Sequence, residues 1–192
     1  MNTINEEDNS NKKIANQQIN NLKLNRSNFK DTEFKNSTVD ECDFSESDFR
    51  KSIFENVEVK NLRILHGNLK EAHFLDSKMT KFDSRDSNYE GLKIKNSIFK
   101  DCNFRGCNFE NSHFQKITFN KVDLKSCNLK NSKIEEVIFE ECDLYMSRFE
   151  KANFKNVEFY KCNLFLIDFS AVNFNNILLN KKKINSITEL ES

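Results

Sequence analysis

The chain has 192 residues, the length of one domain, and its 30 basic and 30 acidic side chains give a formal net charge of zero. That balance argues against a direct nucleic-acid binder, which needs a basic stripe, and no apolar run approaches the roughly 20 residues of a membrane span. A charged fraction of 31% and a mean hydropathy of −0.73 would suit a disordered chain, were it not for the placing of the 19 Phe.

The first 20 residues are rich in Asn, Gln and Glu and contain no apolar signal-peptide core. They point to a cytoplasmic protein, with a secreted effector exported without such a signal as the other location they permit. Ile14 and Ile19 already share the register described next. Residues 1–20 therefore read either as a polar, partly disordered lead-in or as a degenerate first coil.

A strict period begins at Leu24. Counting by five from Leu24 to Ile184 passes through 33 positions without insertion or deletion, and only Ser84 among them is polar. Seventeen of the 19 Phe fall in this class, which holds one position in five. Two residues earlier, 25 of 33 positions are Ser, Thr, Ala, Cys, Gly or Val, and these include all six Cys. The residue between is most often Asn or Asp, as in Asn28, Asp48, Asn103 and Asn163. Such repetition outranks local propensity as a guide to fold.

A period of five fits neither regular element. It walks around a helix without marking one face, and it is out of phase with the two-residue alternation of a long strand. It fits a unit in which the large residue and the small residue two before it point inward, the residue between points outward, and the remaining two form a bend. Each unit is then a short strand plus a corner, and repeated corners wind the chain into stacked coils. Phe29, Phe49, Phe99, Phe104, Phe109, Phe114, Phe119, Phe154 and Phe169 become a central column. Asn and Asp suit the tight backbone because their side chains bond to nearby main chain. The number of corners per coil does not follow from the period.

Cys102-Asn103-Phe104-Arg105-Gly106, Ala152-Asn153-Phe154-Lys155-Asn156 and Cys142-Asp143-Leu144-Tyr145-Met146 resemble the motif of the pentapeptide-repeat family: a small residue, Asp or Asn, Leu or Phe, then two variable residues. The resemblance implies an all-β fold, a right-handed four-sided parallel β-helix of about eight coils with four pentapeptides each. Such a rod would be roughly 40 Å long at the usual strand spacing.

Within residues 21–180 the stretch 62–92 is irregular: Leu62 and Phe82 are bulky where small residues belong, Gly67 has no side chain, and Ser84 replaces a large centre. Phe82 with Ser84 reads as an exchange of large and small within one unit, and the stretch as a local kink. Regular units resume at Ile94. Lys182 would bury a charge if the winding continued, so the coils should end near Leu179, leaving 181–192 as a cap or tail in which Ile184, Ile187 and Leu190 cover the last coil.

Six Cys in a reduced compartment read as small inward-facing residues. Cys107 with Cys127, and Cys142 with Cys162, are 20 residues apart and would stack on adjacent coils, but stacked parallel side chains have poor disulfide geometry. There is no C-x-x-C pair, so no metal or cofactor is expected. His66, His73 and His113 are scattered, and three Gly form no phosphate-binding loop. No enzyme is expected.

Outward residues assigned by a 20-residue period leave no side strongly acidic or basic. Tyr145, Met146, Phe165 and Leu166, however, fall on one side of consecutive coils. An outward apolar cluster of this kind marks a contact: a cap formed by the chain's own C-terminus, or a homodimer through that end. The sequence thus points to a protein-interaction scaffold whose partner it does not identify. The family resemblance adds an alternative, a DNA-mimic binder that protects or inhibits DNA gyrase, a type II topoisomerase. An acidic stripe, which DNA mimicry would need, is not evident.

Overall fold

The computed structural model describes residues 2–3, 7–184 and 186, the first two by backbone alone. Every regular element among the described residues is a strand. The short ones are β1 (Asn2–Thr3), β2 (Lys13–Ala15), β3 (Gln18–Asn20), β4 (Leu22–Lys23), β5 (Glu33–Lys35), β6 (Thr38–Asp40), β7 (Ile53–Glu55), β8 (Glu58–Lys60), β9 (His73–Leu75) and β10 (Lys78–Thr80). The longer ones are β11 (Lys93–Lys100), β12 (His113–Asn120), β13 (Lys133–Glu140), β14 (Asn153–Tyr160) and β15 (Asn173–Leu179), and β16 (Lys182–Ile184) closes the series.

Parallel pairing links residues 20 apart throughout, as in Ile94↔Phe114↔Ile134↔Phe154↔Phe174. Four five-residue units therefore make one coil, and the chain is a four-sided parallel β-solenoid. We number the sides in chain order from Leu24: the first carries Leu24 and Phe44, the second Phe29 and Phe49, the third Phe34 and Phe54, the fourth Val39 and Val59.

The core is the expected column. Phe29, Phe49, Phe99, Phe104, Phe109, Phe114, Phe119, Phe154 and Phe169 are all buried. Rings on neighbouring coils stack face to face, with centroids 4.8 Å apart for Phe34 and Phe54 and 5.1 Å for Phe139 and Phe159. Phe104 instead meets Phe82, Phe99, Tyr89 and Phe109 edge to face at 5.5–5.8 Å.

Each corner places the second residue after the large centre at positive φ, from Asn11 to Lys181. With only three Gly available, Asn and Asp, which tolerate the left-handed conformation, fill many corners (Asn36, Asp76, Asn131), and Lys, Glu and others adopt it against their steric preference at the rest. Three sets of hydrogen bonds hold it. Corner amides join the ladder to the next coil, as from Arg26 N to Ser45 O (3.0 Å) and Glu46 N to Leu65 O (2.8 Å). On the first two sides the outward Asx side chain accepts from the amide two residues on, as Asp123 does from Lys125 (2.9 Å) and Asn28 from Lys30 (3.1 Å). The small inward residue donates its hydroxyl or thiol to the centre carbonyl 23 residues earlier: Ser147 to Leu124 (2.6 Å), Ser87 to Ile64 (2.8 Å), Cys127 to Phe104 (3.0 Å). Ser, Thr and Cys thus serve as donors as well as small fillers.

A local substitution changes the strands. Between the third and fourth sides the inward residue is Ser37, Val57, Ser77 and Ser97 in the early coils, and Ser77 and Ser97 hydroxyls accept from the amides of Val57 (3.0 Å) and Ser77 (3.1 Å). At Ile117, Val137, Val157 and Ile177 the backbones pair directly, whereas Val57, equally without a hydroxyl, still separates β7 from β8. Where the pairing is direct, the two short strands fuse into the long strands β11–β15.

The expected kink over 62–92 does not occur. Pairing runs unbroken through Asp43↔Arg63↔Asp83↔Asn103. Phe82 turns inward and is buried, and Ser84 cedes the centre to Tyr89, whose hydroxyl donates to Ser84 Oγ at 2.6 Å. Ser84 Oγ donates onward to Ile64 O at 3.1 Å. The exchange leaves an apolar void of about 10 Å³ beside Tyr89 and Phe104. At Gly67 an added Cβ would lie 2.4 Å from Ile64 Cγ2, so the missing side chain makes room for Ile64.

The two ends also differ from expectation. Winding begins before residue 21, since Asp8 pairs with Asn28 and β2 and β3 pair with β5 and β6. A polar lead-in over 1–20 therefore does not describe residues 8–20, which Ile14 and Ile19 anchor against the core. At the other end Asn180 and Lys181 both take positive φ (48° and 68°), the requirement of a type I′ hairpin turn. β16 accordingly runs antiparallel to β15, pairing Leu179↔Lys182 and Ile177↔Ile184. The turn leaves Lys182 exposed and packs Ile184 against the core. Ile187 and Leu190 lie outside the described residues.

Phe104→Ala removes a ring packed against four others and should cost about 3–5 kcal/mol in a urea melt; a loss below about 1 kcal/mol would contradict the packing. Ser84→Ala strands the buried Tyr89 hydroxyl and should cost about 1–3 kcal/mol, as should Tyr89→Phe, while the double variant should lose less than the sum. Additive losses in that cycle would show that the hydroxyls do not interact.

Candidate interaction surface

The outward cluster forms on the first side, in the last two coils. Tyr145 and Phe165 rings stack with centroids 6.1 Å apart. Phe165 is 67% exposed, Leu166 57% and Met146 49%, whereas Tyr145 is half-buried. Local geometry drives this exposure: the side chain after the large centre points outward, and Asp143 and Asn163 hold the turn by accepting from Tyr145 N (3.2 Å) and Phe165 N (3.1 Å). The cluster borders the end of the rod, where the inward Cys162, Leu164, Val172 and Phe174 are only partly buried. β16 covers the fourth side of that end.

A second set of outward apolar residues escaped the sequence reading. On the fourth side Ile98 and Ile138 are 48% and 41% exposed, and Leu178 lies in the same column with Thr118 and Glu158. The signal was present in the sequence: these three residues are apolar at positions that the five-residue unit points outward.

Elsewhere many charges pair between coils. Opposite charges occupy consecutive rungs, as in Arg26–Glu46 (2.9 Å), Lys35–Glu55 (2.8 Å), Lys70–Glu90 (3.1 Å) and Lys130–Glu150 (2.8 Å). Such exposed pairs add little stability, and basic side chains still follow one another at Arg85, Arg105 and Lys125 on the first side and at Lys30, Arg50 and Lys70 on the second.

The three His do not come together. His73 and His113 share a column with Lys93 between them, two coils apart, and His66 lies on the first side. Burial, reinforced by Lys93, holds His73 below the usual imidazole range. No group of three or more His, Cys, Asp or Glu suited to a metal occurs among the described residues.

All six Cys are free, and five are buried. Burial pushes Cys102 up to about 12 and raises Cys42, Cys107 and Cys127 as well. The thiols of Cys142 and Cys162 each donate to main-chain carbonyls, Phe119 O at 3.4 Å and Phe139 O at 3.2 Å, and the interaction between the two neighbours raises Cys142 and lowers Cys162. Cys162 is also the one only partly buried.

The sequence matches the pentapeptide-repeat family (Pentapeptide repeats, 8 copies) over residues 21–61, 102–140 and 135–170. The fold is a solenoid of such repeats, and the chain belongs to the pentapeptide-repeat family. No curated protein sequence matches it. Among solved structures it is similar to QnrB1, described as a plasmid-mediated fluoroquinolone resistance protein. One trypsin-treated variant aligns at 16% identity over 91% of this chain and 90% of that one, with a TM-score of 0.56. HetL, a pentapeptide repeat protein involved in heterocyst differentiation regulation from the cyanobacterium Nostoc sp. strain PCC 7120, aligns at 10% identity over 95% of this chain and 93% of that one, with a TM-score of 0.49. At these identities the likeness concerns the fold. Among the described residues no helix is long and apolar enough to cross a membrane.

A thiol-specific disulfide reagent should modify Cys162 first in the native protein, with the other five reacting only on unfolding in urea. Cys162→Ser should abolish the fast phase; a fast phase that survives would place the reactive thiol elsewhere.

Proposed function

We propose that this protein is a non-enzymatic interaction scaffold in the cytoplasm, which binds a partner protein through Tyr145, Met146, Phe165 and Leu166. The observation that carries the reading is the exposure of Phe165 and Leu166, 67% and 57%, the two most exposed large apolar side chains among the described residues. Exposed apolar patches of this kind serve contacts. The half-buried residues of the adjoining end extend the same surface, and a second copy of the chain is one partner that could cover both. Phe165→Ser with Leu166→Ser removes exposed side chains, so it should leave stability within about 0.5 kcal/mol. The same variant should lose the partners that the wild-type protein retains in a cross-linked pull-down. Unchanged capture, and an unchanged sedimentation coefficient, would remove the patch as the contact.

A second reading is a DNA-mimic binder that protects or inhibits DNA gyrase. It is favoured by the likeness to QnrB1 along 91% of the chain. It is opposed by the pairing of carboxylates across rungs, because a surface selected for phosphate seeks unpaired negative charge. Purified gyrase subunits should retain the protein, and excess linear duplex DNA should displace it, if this reading holds. Absence of binding leaves the scaffold role alone.

A further inference from the structure

The strands β13, β14 and β15 enclose a groove of about 270 Å³ where the third side turns into the fourth. Ile138, Val157 and Leu178 form its apolar part, and Glu136, Glu158 and Asn156 contribute the polar part. Most neighbouring acids are engaged: Glu135 with His113 (3.5 Å), Glu141 with Lys121 (3.7 Å), and Glu140 with Asn120 (2.6 Å). Glu136 and Glu158 have no side-chain partner among the described residues. Lys116 sits one coil below Glu136 at the same corner, and Lys183 lies opposite Leu178 on β16, yet neither forms an ion pair with these carboxylates.

We propose that this groove binds an extended segment of a partner protein through an arginine side chain. The volume admits one or two side chains rather than a folded surface. Two carboxylates beside an aliphatic floor select a cationic head on an apolar stem. Arginine fits better than lysine, because its planar guanidinium reaches both carboxylates while its methylenes lie on Ile138 and Leu178. Residues of the segment on either side of the arginine would cover Ile98 and Ile138. This surface is on a different side of the rod from the Tyr145–Phe165 patch and does not depend on it.

The probe is a blocked peptide of alternating leucine and arginine, titrated into the full chain with labelled Ile and Leu methyl groups. Ile138 and Leu178 should shift saturably. Glu136→Gln with Glu158→Gln should weaken binding about tenfold or more with the circular dichroism unchanged. A leucine–glutamate peptide should not bind, and Phe165→Ser with Leu166→Ser should leave arginine-peptide affinity unchanged. The proposal is overturned if the two methyl signals stay fixed, or if the double Gln variant binds the arginine peptide as tightly as wild type.

Discussion

The structure depends on the hydrogen-bond ladder that joins each coil to the next. A corner in the left-handed conformation is unfavourable for Lys or Glu, yet such residues occupy it along the length of the rod. The ladder satisfies the corner amides, the Asx side chains satisfy the amides before them, and the inward hydroxyls and thiols satisfy the turn carbonyls. Aromatic stacking fills the interior at the spacing this ladder sets. Neither part stands alone, since a single coil can bury neither its rings nor its polar backbone.

The solenoid and its core were legible because a five-residue period, kept for 33 units, admits few architectures. Phe104 and Phe154 could be assigned inward from their place in that period. What stayed hidden depended on contacts between coils. Ser147 and Cys127 read as small residues, but their donor role appears only when Leu124 and Phe104 carbonyls are placed beneath them. The swap of Phe82 and Ser84 was readable as volume, while the use of Tyr89 to recover a hydrogen bond was not. The weakness of residues 8–20 in the repeat concealed that backbone pairing, which is blind to side chains, already holds them. Lys182 stood out as a charge in an inward position, whereas the hairpin came from Asn180 and Lys181, two residues outside the inward pattern.

The candidate surface was half legible. Tyr145, Met146, Phe165 and Leu166 stood out because apolar residues occupied corner positions. Ile98, Ile138 and Leu178 are apolar at the outward position between the two inward residues, and matter only once a 20-residue coil brings them into one column. Charge pairing between rungs likewise needs the coil: a balanced composition does not say which charges meet, and only the 20-residue turn brings Lys35 to Glu55 and Lys130 to Glu150.

The unbroken 20-residue register also gives the rod a compass. Inserting one five-residue unit would leave the core pattern and the ladder intact, yet every residue beyond it would move to the next side. The apolar patch and the groove are fixed about the axis by the number of units that separate them, and their relative bearing can change only in quarter turns. A partner that grips both would sense the insertion of a single unit, whereas insertion of a whole coil would change their separation along the axis and leave their bearing as it was.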